Sequence, residues 1–152
     1  MQEMVAGFAF SKDLSEVILI RKAKPKWQAQ KLNGVGGKVE ENEHPDQAMT
    51  REFGEEAGVY GLIWRKFATL SDINAEQKVH FYYYLQSGDE LSTIRHKQEA
   101  PGGETIEYGF VEYIHEYSDI VPNLLWLIPM ALQAVQGTIT WVSQIVEDRV
   151  WE

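Results

Sequence analysis

The chain has 152 residues, 44% of them hydrophobic, 12% aromatic and 24% charged, the proportions of one globular domain over residues 1–152 rather than of a disordered or fibrous chain. Fourteen Lys and Arg against 23 Asp and Glu leave a formal charge of −9, which repels polyanions and argues against nucleic acid or an anionic membrane as partner. The chain contains no cysteine, so disulfides, thiolate zinc sites, iron–sulfur clusters and cysteine nucleophiles are excluded.

Val5 to Phe10 and Val17 to Ile20 are apolar runs separated by Ser11-Lys12-Asp13, the pattern of strand, turn and strand. Met1 to Phe10 has no basic segment ahead of a long apolar core, so a secretory signal is not expected. Arg21 to Gly37 carries four lysines, a proline and glycines at 34, 36 and 37 without apolar periodicity, and reads as a long functional loop. A helix is predicted from Pro45, with Ala48, Met49, Phe53 and Ala57 on its apolar stripe and Gly58 as its stop. Ile63 to Leu70, Val79 to Leu85 and Thr105 to Tyr113 are rich in β-branched and aromatic residues and read as strands. Asn123 to Val135 is a second predicted helix, which Pro129 either kinks or starts. Thr138 to Trp151 is a strand or a short helix. The longest apolar run, Leu124 to Val135, is too short to cross a bilayer core of about 30 Å. A soluble, cytoplasmic α/β protein, monomer or homodimer, is the expectation.

The segment Gly37 to Val59 carries the chemistry. At about 100° per residue Glu52, Glu55 and Glu56 project within one sector of about 100°, beside the stripe of Met49, Phe53 and Ala57. Like charges at these spacings cost a helix a few tenths of a kcal/mol per pair, and no lysine on that sector compensates them. A hard divalent cation such as Mg²⁺ or Mn²⁺ is their natural partner. Gly34, Gly36 and Gly37 leave backbone groups open to phosphate or metal. Leu32 and Val39 break the Walker pattern, and Val39 also breaks GxGxxG.

This segment resembles the Nudix box of the Nudix hydrolases, Gly-x5-Glu-x7-Arg-Glu-U-x-Glu-Glu-x-Gly-U, at Gly37, Glu43, Arg51, Glu52, Glu55, Glu56 and Gly58, with Phe53 and Val59 in the two apolar places. The resemblance implies a mixed β-sheet sandwiched between α-helices and hydrolysis within the phosphate chain of a nucleotide. It further implies Mg²⁺, or Mn²⁺, held by Glu52, Glu55, Glu56 and the carbonyl of Gly36, with Arg51 and Glu43 orienting the carboxylates. Glu104 resembles a further downstream ligand of many members, with Glu107 and Glu99 as competitors. One of Glu52, Glu56 or a downstream carboxylate serves as the base.

Leu32-Asn33-Gly34-Val35-Gly36-Gly37-Lys38 resembles the loop of the MutT-type branch, which hydrolyses oxidised purine nucleoside triphosphates such as 8-oxo-dGTP. That likeness makes Asn33 a candidate base contact; Asn-Gly is equally a turn signal. Val121 to Pro129 resembles the base-reading stretch of the animal enzyme of the branch, but Asn123 and Leu124 stand where that enzyme has acidic residues. Asn123 and Trp126 are candidate base contacts, against the general tendency of a helix aromatic to be core. Arg21, Lys24 and Lys38 are candidate phosphate contacts, with Lys22 and Lys26 beside them. Cleavage to nucleoside monophosphate and pyrophosphate is the expected reaction. A diphosphate-linked nucleotide (nucleotide sugar, ADP-ribose or dinucleoside polyphosphate) is the alternative substrate, and a non-catalytic nucleotide-binding module is a further one.

Overall fold

The computed structural model describes residues 2–72, 76–137 and 143–147, the last five as backbone only. Nine described strands form one sheet: β1 (Gln2–Phe10), β2 (Glu16–Arg21), β3 (Leu32–Asn33), β4 (Val35–Lys38), β5 (Arg65–Asp72), β6 (Gln77–Leu85), β7 (Gln98–Ala100), β8 (Glu104–Phe110) and β9 (Ser143–Glu147). Their order is β7-β8-β2-β1-β6-β5-β9, with β3 on β2 and β4 on β1. The pairs β1–β6 and β5–β9 are parallel and the others antiparallel, so the sheet is mixed.

Two helices cover opposite faces. Val17 and Leu19 of β2, with Phe8 and Phe10 of β1, pack with Leu124, Leu127, Ile128 and Ala131 of α2 (Leu124–Val135). Ile18, Ile20, Val5 and Ala9 turn to Met49, Phe53 and Ala57 of α1 (Pro45–Ala57). A strand buried on both sides reads as an unbroken apolar run, which is why β2 shows no alternation. Burying Met49 and Phe53 completely stabilises by about 1.5–3 kcal/mol each, far more than the few tenths that crowded carboxylates cost. Apolar burial therefore sets the rotation of α1, and its acidic face follows.

The helix ends carry local signals. Gly58 closes α1 at φ 81°, while His44 opens it: its Nδ1 accepts from the Asp46 N–H, and its own N–H donates to the Gln47 side chain. Pro129 lies inside α2 and does not start it.

Three expectations need correction. The stretch from Arg21 to Gly37 is not one loop: Leu32–Asn33 and Val35–Lys38 are strands. Gly36 and Gly37 pair with Ala6 and Val5 of β1, but side-chain periodicity cannot reveal a strand made largely of glycine. Thr105 to Tyr113 ends as a strand at Phe110 and continues as a 3-10 segment, Val111–Glu116. The strand expected from Ile63 begins at Arg65. Of the tail, Ser143–Glu147 is a strand on β5, while 138–142 and 148–152 lie outside the described residues.

Candidate active site

The site forms where β4 passes beneath α1. A Cβ on Gly36 would lie 1.9 Å from the Val5 carbonyl oxygen, and one on Gly37 would lie 2.5 Å from the carboxylate of Glu52. Glycine is thus required at 36 for strand approach and at 37 for room beside the helix carboxylate.

Arg51 organises the acidic face. Its Nε and Nη2 donate to Glu43 at 2.8 and 3.0 Å, Nη1 donates to Glu52 at 2.9 Å and Glu55 at 3.2 Å, and Nη2 also donates to the Lys38 carbonyl at 2.9 Å. One guanidinium on α1 therefore holds Glu43 by a two-pronged bond and β4 by a single bond to the Lys38 carbonyl. Its hydrogen bonds hold the Glu43 carboxyl below the usual range. Burial raises Glu52 despite Arg51.

Glu56 has no such relief. Its Oε2 is buried without a hydrogen-bond partner. Burial first and the charge of Glu104 second push its carboxyl up to about 7, against the pull of Lys22. Glu104, 5% exposed on β8, accepts from the Ala23 N–H at 2.8 Å and lies 3.4 Å from the Lys22 ammonium. A buried carboxylate oxygen without a donor, among other hard oxygens and without sulfur or imidazole, suits a hard divalent cation. Among the described residues no three His, Cys, Asp or Glu side chains already form a ligand cluster: Glu52 and Glu55 turn to Arg51, and Glu104 to Lys22 and Ala23.

A cleft of about 750 Å³ runs from these carboxylates onto the α2 face of the sheet. Glu52, Glu56, Glu104, Gly36, Gly37 and the lysines 22, 24 and 38 line one part; Met4, Leu70, Val79 and Phe81 supply an apolar wall, with Asn33, Asn123 and Gln28 as polar groups. Asn33 donates to Gln28 at 2.8 Å and accepts from the Gly34 N–H at 2.8 Å, so the amide is held in place between β3 and β4, and Gly34 does not take the positive φ of an Asn-Gly turn.

Gly36, Glu52, Glu56, Glu104, Asn33, Lys24, Lys38 and Asn123 thus meet in one cleft. Glu55 stays outside it, its side chain 49% exposed against Arg51; Glu43 and Arg51 stand behind the carboxylates. Two candidates are placed elsewhere. The Arg21 guanidinium is bound to Glu107, Asp119 and the Gln30 carbonyl, away from the cleft lining. Trp126 packs against the core under α2, as an apolar helix face dictates. Of the competitors for the downstream position, Glu107 pairs with Arg21, and Glu99 is exposed on β7. Sequence reasoning missed Trp27 and Asp72, which also line the cleft; an aromatic stranded in a lysine-rich loop was the available signal for the former.

The NUDIX domain family model matches residues 2–125. The 8-oxo-dGTP diphosphatase of Escherichia coli (strain K12) is 31% identical over 71 residues, which are 47% of this chain and 55% of that protein, so the chain spans about half the length of the curated relative it matches. Among solved structures, one from work on MutT of Aliivibrio salmonicida and Vibrio cholerae superposes with a TM-score of 0.60 at 22% identity, covering 89% of this chain and 96% of that one. The NUDIX domain of Shewanella oneidensis NrtR, complexed with ADP ribose, gives a TM-score of 0.70 at 15% identity, covering 88% and 87%. At these identities the structures speak to the fold, the mixed sheet between helices. With the family model covering most of the chain and the acidic helix, its glycine strand and the cleft in place, this chain belongs to the Nudix family.

Proposed function

We propose that the protein is a Mg²⁺-dependent pyrophosphohydrolase that cleaves a nucleoside triphosphate to the monophosphate and pyrophosphate. The observation that carries this reading is Glu56: a buried carboxylate oxygen without a donor, raised to about 7, beside Glu52 and Glu104 at the cleft. Glu52, Glu56 and Glu104, with the Gly36 carbonyl, would hold the ion, joined by Glu55 once it leaves its bond to Arg51, and Mn²⁺ would fit the same oxygen donors. Such an ion supplies charge neutralisation on the phosphates and acidifies the attacking water. Arg51 and Glu43 keep the carboxylates oriented. Lys22, Lys24 and Lys38 offer cationic contacts to the phosphate chain, and the wall of Met4, Leu70, Val79 and Phe81 takes the base, with Asn33 and Asn123 at its polar edge. Water adds to a phosphorus of the chain, the bridging P–O bond breaks, and the water's proton passes to a site carboxylate.

An oxidised purine nucleotide is the favoured base class, supported by the name of the Escherichia coli relative and by Asn33. A diphosphate-linked nucleotide is the second reading, favoured by the ADP ribose on the NrtR domain. The partner is a small molecule, and none of the described helices is long and apolar enough to cross a membrane.

Product identification tests this. Purified protein with Mg²⁺ is given canonical and oxidised nucleoside triphosphates and several diphosphate-linked nucleotides, with Glu56→Gln in parallel. Monophosphate and pyrophosphate from a triphosphate, lost in the variant, is the expected result. Turnover confined to the diphosphate-linked compounds selects the second reading, and no turnover with Mg²⁺ or Mn²⁺ rejects hydrolysis.

A further inference from the structure

Three segments of the cleft wall converge on the guanidinium of Arg21. Its Nε and Nη2 donate to the two carboxylate oxygens of Glu107 at 2.5 and 3.0 Å, while Nη1 donates to the Gln30 carbonyl at 2.8 Å and to Asp119 Oδ2 at 2.9 Å. Glu107 sits on β8, 6% exposed, and also accepts from the Thr105 hydroxyl at 3.1 Å. Backbone bonds draw the same segments together. Lys22 N–H donates to Lys31 and Gln30 N–H to Lys22, closing the 22–31 loop on itself; Leu32 N–H donates to Asp119 and Val121 N–H to Leu32. The loop supplies Lys22, Lys24, Trp27 and Gln28 to the cleft, and the segment beyond Asp119 supplies Val121 and Asn123.

We infer that Arg21 is a positioning residue whose planar fork fixes the 22–31 loop and the 119–123 segment to β8, and so sets the separation of the two walls between which the nucleotide lies. This rests on the nucleotide-binding reading of the cleft. Four hydrogen bonds leave the guanidinium little capacity for a phosphate. Their acceptors are a carboxylate in two-pronged geometry, a second carboxylate and a carbonyl, an arrangement that suits a rigid fork and not the single point of an ammonium. Arg21 makes no bond to Glu52, Glu55 or Glu56; the links from its loop to the reacting end are the Ala23 N–H and the Lys22 ammonium on Glu104. Loosening the fork therefore widens the place of the base and phosphates more than it disturbs the carboxylates on α1. Weakening about one polar contact to the base or the phosphates is expected to read as about 10-fold in binding.

The test uses two variants that keep a cation beside the buried Glu107: Asp119→Ala, which cuts the outer tie, and Arg21→Lys, which keeps the charge without the fork. Steady-state kinetics on dGTP, 8-oxo-dGTP and ADP-ribose with Mg²⁺ are expected to show KM raised about 10-fold, kcat within about 2-fold of wild type, and a flattened ratio of kcat/KM between the two triphosphates. The double variant should lose little more than Arg21→Lys alone, because both cut one network. Variants with lowered melting temperature but unchanged KM and base ratio would overturn the inference, leaving Arg21 a packing residue; so would a loss confined to kcat. If wild-type protein cleaves none of these compounds, the hydrolysis reading fails by itself. Calorimetric affinities for the same nucleotides then decide the present point: weaker binding in Asp119→Ala supports it, and equal or undetectable binding in both proteins overturns it.

Discussion

Arg51 and Arg21 each gather carboxylates, and the charge balance around them differs. Arg51 bonds Glu43, Glu52 and Glu55 and has Glu40 at 3.7 Å, with Glu56 beyond its bonds and Glu104 acting on Glu56 from β8. Arg21 faces two carboxylates, Glu107 and Asp119. The consequence appears in the titration of the acids: burial outweighs Arg51 at Glu52 and Lys22 at Glu56 and raises both, whereas the Arg51 bonds win at Glu43 and the Arg21 bonds at Glu107, and lower them. A cluster left with surplus negative charge is a place for an external cation; a cluster nearly neutralised from within is scaffold. Glu104 and Glu107 make the same point on one strand. Three residues apart, they face opposite sides of β8, one into the cleft and one into the Arg21 network.

Breaking the surplus cluster should have the largest effect. Glu56→Gln is expected to lower turnover on the order of 10³-fold while leaving the melting temperature of metal-free protein as high as wild type or higher, since it removes a half-buried charge without a donor. Near-wild-type rates at saturating Mg²⁺ would show that Glu56 is no part of the machinery. The two glycines of β4 separate function from fold. Gly37→Ala presses on the flexible end of Glu52 and should lower turnover about 10²-fold with the fold retained. Gly36→Ala presses on the β1 backbone and should cost about 2–4 kcal/mol of stability, read by denaturant unfolding.

The pH dependence sharpens the contrast, because Glu56 and Glu107 shift in opposite directions. The folded-state value of Glu56 is raised from 4.5 to about 7, so the folded protein keeps a proton that the unfolded chain releases near 4.5. Wild-type stability therefore falls relative to Glu56→Gln as pH rises from about 4.5 to 7, and the gap is constant above. Glu107 is lowered; its contribution is present above the unfolded value of 4.5 and is lost as pH falls through its depressed value, so the advantage of wild type over Glu107→Gln shrinks in acid. Melting temperatures in EDTA from pH 3 to 9 check both differences, and gaps independent of pH would contradict the assignment. The smallest effect is at the base. Asn33→Ala should change the preference between dGTP and 8-oxo-dGTP by about 10-fold with little change in the rate on the better substrate, and equal losses on every nucleotide would remove Asn33 from base reading.

The acidic face was legible in the chain because everything that makes it lies within one helix. Pro45 and Gly58 bound it, Met49 and Phe53 bury one side, and the positions of Glu52, Glu55 and Glu56 follow from helical geometry. The role of Arg21 was not legible. Arg21 and Lys22 are neighbours in a basic stretch, yet one is bound to Glu107 and the other approaches Glu104, because consecutive residues leave a strand toward opposite faces. The aromatics divide the same way. Trp126, in an apolar helix, and Trp27, in a polar loop, are both half-buried against the core, but of the two Trp27 lines the cleft.

By itself the sequence determined what depends on near neighbours: the α1 helix and its ends, the carboxylate sector, the buried strands β1 and β2, and the motif that marks the family. The tertiary structure decided what depends on partners far along the chain. Gly36 and Gly37 become strand by pairing with β1, Glu104 rather than Glu107 enters the cleft, and Arg21 finds its carboxylate 86 residues away. Local spacing fixes the direction of a side chain relative to its own element, but only the packing of elements fixes what that direction meets.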